Sequence, residues 1–265
     1  MNQSFLKMAY EDKNDGCITL MGLECTDTKD FNSFLNSNVR NRLYDIELAD
    51  EFIEHINGIP TAKMESEVLA DILNPHQQEK SKSDACEALA EAFLEMHDQV
   101  VFPWNMQRDK RNPRASLPGP DVIGIVEAGS ESRFAFGEVK GSSHEQFPPS
   151  VMYGIDGMEG QLRKLINNQV IRRGLILWLF SKVKGNSHLD RFLEALEAYI
   201  ISEYKNYVLF GVLLRDTRPT QKDLSNTATQ LTNNLSLPTK CNLTALYLPW
   251  PLDDLISRIN ASGTI

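Results

Sequence analysis

Three residues of this chain combine types and spacing that could act on a phosphodiester. Asp121 follows Pro120, and seventeen positions later Glu138 opens the run Glu138-Val139-Lys140. Two ionised carboxylates brought together repel, so a stable pair needs a compensating cation. Hard carboxylate oxygens favour Mg²⁺ or Mn²⁺ over softer metals. Such a cation can polarise a phosphate and help to make hydroxide from water. Lys140 could orient or deprotonate that water, or stabilise charge developing on phosphorus. The bland alternative is an exposed Asp/Glu/Lys group making ordinary cross-strand ion pairs. Both readings stay open from these residues alone.

For the chemistry to occur, a hairpin must bring the residues together. Residues 121–126 and 134–140 read as strands flanking Gly129-Ser130, a credible turn centre. Mirroring the chain about that dipeptide sets Asp121 opposite Glu138, Ile123 opposite Phe136, and Ile125 opposite Arg133 at the frayed end. Directly opposed residues share a face, with Cβ atoms about 5 Å apart. Lys140, two beyond Glu138, joins the same face, while Val139 points into the core and leaves its carbonyl near the metal. A one-residue slip would separate the carboxylates.

The remaining elements follow from periodicity and punctuation. Short strands are expected at 5–9 and 17–23, and one or two amphipathic helices over 31–56, stopped by Gly58 and Pro60. A short helix is expected at 63–73, then a polar linker at 76–83. A helix N-capped by Ser83 or Asp84 buries Cys86, Leu89, Ala90, Phe93, Leu94 and His97 as one stripe, with Glu87 and Glu91 on its flank. Residues 99–104 read as a strand and 109–118 as a basic, proline-bearing loop. Beyond the hairpin we expect a polar loop over 141–160, a helix over 158–172 and a fully buried strand at 174–180. A helix at 189–204, a strand at 207–214, a polar loop at 217–242, a strand at 243–249 and a short helix at 252–259 follow. The order implies an α/β layer fold with a central sheet flanked by helices.

Pro120-Asp121, the spaced Glu138-Val139-Lys140, a Glu-bearing helix upstream and a helix downstream together resemble the PD-(D/E)xK nuclease superfamily, over about residues 84–180. The resemblance implies a restriction-endonuclease-like core with Asp121, Glu138 and Lys140 catalytic. It implies metal contacts from Asp121, Glu138 and Val139, and from Glu87, with Glu91 as the alternate. It also implies that Gln161 and Lys164, on the following helix, hold substrate phosphate; a generic exposed helix face explains them equally well. The expected division is an N-terminal, mainly helical accessory segment (1–78), a nuclease core (79–215), and a polar loop with a C-terminal strand and helix packed on the core (216–265). With its long N-terminal extension the chain also resembles the nuclease subunit of the Hachiman anti-phage defence system. That likeness implies a DNA-degrading effector restrained by a superfamily 2 helicase partner. The competing expectations are a non-catalytic interaction subunit with a nuclease-like fold and a sequence-specific restriction-type endonuclease.

Composition narrows these classes. A net charge of −9 is the wrong sign for an unaided phosphate binder, which points to delivery of DNA by a partner. Local basic clusters exist at Arg108, Lys110, Arg111 and Arg114, and at Arg163, Lys164, Arg172 and Arg173. Cys17, Cys25, Cys86 and Cys241 lack disulfide or zinc-ribbon spacing, so free thiols in a reducing cytosol are expected. No apolar run is long enough to span a bilayer. The five histidines lack ligand spacing, and no Gly-x-Ser-x-Gly elbow or P-loop is present, so an ATP-driven step would belong to another protein.

Overall fold

The structure, a computed structural model, describes residues 4–14, 16–56, 80–109, 119–128 and 131–261. Strands β1 (Leu6–Asn14), β2 (Ile18–Cys25), β3 (Val100–Val101), β4 (Val122–Ala128), β5 (Glu131–Ser142), β6 (Tyr207–Arg215) and β7 (Lys240–Tyr247) form one sheet in the order β1-β2-β7-β6-β5-β4-β3. The four central strands, β2, β7, β6 and β5, run parallel, while β1, β4 and β3 add antiparallel edges. Every residue of β6 is buried, which requires cover on both faces of the sheet.

Helices supply that cover. After β2 come α1 (Lys29–Phe34), a π-helical turn (Leu35–Val39), α2 (Arg40–Tyr44) and α3 (Ile46–Ile56). Helix α4 (Lys82–His97) precedes β3, and the single turn α5 (Met106–Asp109) follows it. Between β5 and β6 run α6 (Met158–Asn167), α7 (Gln169–Val183) and α8 (Leu189–Ile201). Helix α9 (Lys222–Thr232) joins β6 to β7, and α10 (Leu255–Asn260) ends the described chain. None of the described helices is long and apolar enough to cross a membrane.

The molecule is therefore α/β with a mixed seven-stranded sheet flanked by helices, and it differs from expectation in several places. The apolar run 174–180 is the middle of α7, not a buried strand. Ile176, Leu179 and Val183 are buried on one face, whereas Leu177 is 71% exposed. A short apolar run does not by itself distinguish helix from strand, and here the helical phase continues on both sides. The helix expected over 158–172 is two helices, broken at Asn168, whose side chain caps α7 by accepting from the Ile171 amide at 3.1 Å. The polar stretch 217–242 holds α9, because Leu224, Ala228 and Leu231 recur at helical spacing and are buried, as is Thr227 beside them.

The ends of the chain are less peripheral than their composition suggests. The N-terminal segment contributes β1 and β2 to the sheet, with β2 lying parallel to β7 (Ile18 opposite Cys241), so it is not only a helical extension. Strand β7 in turn lies between β2 and β6. Helix α4 starts two residues before the expected cap: Ser81 Oγ accepts from the Asp84 amide at 3.1 Å, and Asp84 Oδ2 accepts from the Ser81 amide at 2.8 Å. That reciprocal cap is worth about 1 kcal/mol. The helix expected at 63–73 lies outside the described residues.

Candidate active site

The β4–β5 ladder pairs Val122 with Gly137, Ile123 with Phe136 and Ala128 with Glu131, closing around residues 129–130. Ile125 faces Phe134, not Arg133; Val126 takes Arg133. One step beyond Val122, the ladder brings Asp121 beside Glu138. Asp121 Oδ2 accepts from the Val139 amide at 2.8 Å, which ties the residue preceding β4 to the middle of the Glu138-Val139-Lys140 run. Glu138 is 5% exposed, and its Oε1 accepts from Lys140 Nζ at 2.6 Å. The Val139 side chain is buried on the opposite face. Gly137 sets this alignment, because a Cβ there would stand 2.0 Å from the Phe210 carbonyl oxygen of β6. Glu138 is thus carried on a strand pressed directly against the sheet centre.

Of the three glutamates on helix α4, Glu87 and Glu91 go to different partners. Glu87 accepts from Ser83 Oγ at 3.2 Å. Burial pushes its carboxyl up to about 8, and the negative charges of Asp121 and Glu91 add to the effect. Burial likewise raises Glu138 to about 7, with Asp121 adding, while Lys140 and Lys164 oppose the rise. Asp121 is raised by burial against the pull of the Val139 amide and of Lys140. These mutual influences put Glu87, Asp121 and Glu138 in one electrostatic neighbourhood.

Glu91 also feels the charge of Asp121, but its hydrogen-bond partner is a cation. This glutamate is 2% exposed, and its Oε2 accepts from Arg42 Nε at 2.8 Å and Nη2 at 2.6 Å. Burial raises its carboxyl, and the Arg42 guanidinium pulls it back. Arg42 also donates to the Trp104 carbonyl at 3.2 Å. Arg42 of α2 thus engages Glu91, whereas the described hydrogen bond of Glu87 is to the Ser83 hydroxyl.

Among the described residues, no three His, Cys, Asp or Glu side chains already converge as a cation cage. The donors present nevertheless suit a hard cation. Described hydrogen bonds engage Oδ2 of Asp121 and Oε1 of Glu138, each carboxylate having a second oxygen. Glu87 and Glu138, whose proton affinity Asp121 raises, are short of positive charge, a shortage that a divalent ion would relieve.

The expected substrate groups separate as well. Lys164 sits close enough to Glu138 for its charge to lower that carboxyl's pKa. Gln161 instead donates from Nε2 to the Ile155 carbonyl at 3.1 Å, bracing the loop before α6. Most of the second basic cluster is engaged internally. Arg163 pairs with Glu159, Arg172 is buried with its guanidinium 4.7 Å from the Tyr207 ring centroid, and Arg173 lies over Tyr204. In the first cluster Arg108 pairs with Asp45 at 2.8 Å, while Lys110, Arg111 and Arg114 lie outside the described residues.

Sequence reasoning missed two residues, Arg42 and Arg215. Arg215, fully buried at the end of β6, donates to the carbonyls of Ser142 at 2.8 Å and Gln146 at 3.3 Å, and so shapes the loop after Lys140. Neither arginine belongs to a motif; only tertiary contact shows its use. No protein-family model and no curated protein matches this chain.

Proposed function

We propose that this chain is a Mg²⁺- or Mn²⁺-dependent deoxyribonuclease with a restriction-endonuclease-like core of the PD-(D/E)xK type. The observation that carries the reading is the juncture of β4 and β5. There Asp121 is hydrogen-bonded to the Val139 amide, Glu138 and Lys140 share a face, and Glu87 stands within electrostatic reach. Asp121 and Glu138 would hold the ion, with Glu87 and the Val139 carbonyl as further candidate contacts. Bound there, the ion would supply a Lewis acid for the phosphate and lower the pKa of water. Lys140, released from Glu138 once positive charge arrives, would orient the attacking water and stabilise charge on the phosphoryl oxygens. Lys164 would hold a neighbouring phosphate of the strand.

The net charge of −9 and the internal engagement of most described arginines near the site favour delivery of DNA by a partner. An anti-phage effector restrained by a superfamily 2 helicase, as in the Hachiman system, fits that dependence. The test is DNA cleavage in Mg²⁺ by the wild-type chain, with and without a helicase partner, and by Glu138→Ala and Lys140→Ala made separately. We expect cleavage to be lost in both variants with folding retained; activity retained in both rejects the assignment. One observation favours a non-catalytic interaction subunit with a nuclease-like fold: the Glu138–Lys140 contact at 2.6 Å already compensates one carboxylate. Calorimetry discriminates, since that reading predicts no Mg²⁺ or Mn²⁺ uptake with or without DNA. A sequence-specific endonuclease would yield discrete fragments, whereas the effector would yield a smear.

A further inference from the structure

Directly after Lys140 the chain makes a long loop that returns to α6, and this loop leaves three large apolar side chains in solvent. Phe147 and Tyr153 are 40% and 36% exposed, and Ile155 is 85% exposed. An aliphatic side chain so displayed is ordinary on a loose tip, but this loop is braced. Gln161 Nε2 donates to the Ile155 carbonyl, Asn226 Nδ2 donates to the Tyr153 hydroxyl at 3.2 Å, and Arg215 holds the Ser142 and Gln146 carbonyls. The loop also lies flat on the helix: Gly154 has φ of 80°, and a Cβ on Gly160 would stand 2.1 Å from the Gly154 carbonyl oxygen. Ile155 is held outward by the fold.

Beside it opens a cavity of about 620 Å³ between the loop and the face of α6 that carries Glu159, Gly160, Arg163, Lys164 and Asn167. That volume lies within the ~300–1,000 Å³ range of ligand pockets. Ile155 makes one wall apolar; on the other, Glu159 is paired with Arg163, and Lys164 and Asn167 supply a cation and an amide for a nucleic-acid backbone. Lys164 connects the cavity to the candidate active site, because α6, which carries it, packs Met158 and Leu162 over Gly211, the β6 partner of Glu138.

We propose that this cavity receives an unpaired nucleotide adjoining the scissile phosphate, with its base against Ile155 and its backbone phosphate against Lys164. The inference rests on the nuclease reading and deepens it: the preferred substrate is a single strand, or a duplex end opened into one. A base within a duplex has both faces covered by its neighbours and presents only its edges, so it cannot use the Ile155 wall. Ile155 acts as a wedge that keeps the flanking base out of the stack.

The test measures fluorescence anisotropy of labelled oligo(dT) and of a duplex of equal length, with Glu138→Gln as background so that neither probe is cut. Into it go Ile155→Ser and Lys164→Ala; Ile155 is exposed enough that its replacement leaves the fold intact. We expect Ile155→Ser to weaken oligo(dT) binding roughly tenfold and to leave duplex binding unchanged. Lys164→Ala should weaken both probes and reduce the slope of log affinity against log salt by about 1. Unchanged oligo(dT) affinity in Ile155→Ser, equal loss on both probes, or no binding of either probe overturns the proposal. Cleavage by the wild-type chain is measured alongside. Intact cleavage with an indifferent Ile155 rejects only the subsite, whereas strand binding sensitive to Ile155 without metal-dependent cleavage rejects only the nuclease.

Discussion

Replacing Arg42 by methionine removes the cation that compensates Glu91 and tests how the N-terminal helices support the candidate site. Arg42 is 10% and Glu91 3% exposed at the side chain, and they meet at 2.6 Å. Without Arg42 the Glu91 carboxyl stays inside the protein and takes a proton. At pH 7 that protonation opposes an unfolded-state pKa of 4.5, and at about 1.4 kcal/mol per unit over about 2.5 units it costs about 3 kcal/mol. This agrees with the ~3–5 kcal/mol typical of removing one partner of a buried pair. The Trp104 carbonyl loses a donor as well. The protonation cost shrinks by about 1.4 kcal/mol for each unit that pH falls towards 4.5, because the unfolded chain then takes up the proton too. Urea unfolding followed by tryptophan fluorescence should show a loss of about 3 kcal/mol at pH 7 and clearly less at pH 5. Arg42→Met/Glu91→Met should return to within about 1 kcal/mol of wild type, since an apolar pair of similar volume fills the space. A loss below about 1 kcal/mol at pH 7, or a double variant as unstable as the single one, would refute the reasoning.

Three further outcomes follow from the structure. Glu87 at about 8 and Glu138 at about 7 stand above their ordinary value of 4.5, so the stability they contribute is full below 4.5 and is lost as pH rises through 7 to 8. If both carboxyls hold the ion, Mg²⁺ affinity should rise over that window and binding release about 1.4 protons at pH 7, about 0.9 from Glu87 and about 0.5 from Glu138; calorimetry in buffers of different ionisation heat measures this, and zero release contradicts the assignment. Leu177→Lys should change stability by less than about 0.5 kcal/mol, because the side chain points to solvent. Leu179→Ala, two positions on and fully buried, should cost about 2–5 kcal/mol, and equal costs would argue for a strand there. Gly137→Ala, forced against the Phe210 backbone, should cost about 3 kcal/mol or more and shift Glu138, with cleavage falling further than stability alone explains.

The hairpin was legible in the sequence because its information is local. Alternation fixes which side chains share a face, and a turn dipeptide fixes the register, so Asp121, Glu138 and Lys140 converge without reference to the rest of the chain. The burial of α4 by its apolar residues was legible for the same reason. The fate of Glu91 was not, because Arg42 lies 49 positions away and a charge on a helix flank carries no mark of its partner. Nor were the pairing of β2 with β7, the helical state of 174–180, and the role of Arg215 in shaping the loop after Lys140. Each depends on contacts between distant segments, and such contacts alone decide whether an apolar run, a polar stretch or a lone arginine is buried. The sequence by itself determined which groups could do chemistry and that one face would carry them. Contacts between distant segments alone settle that Arg42 holds Glu91 and that a braced isoleucine borders a cavity lined by Lys164.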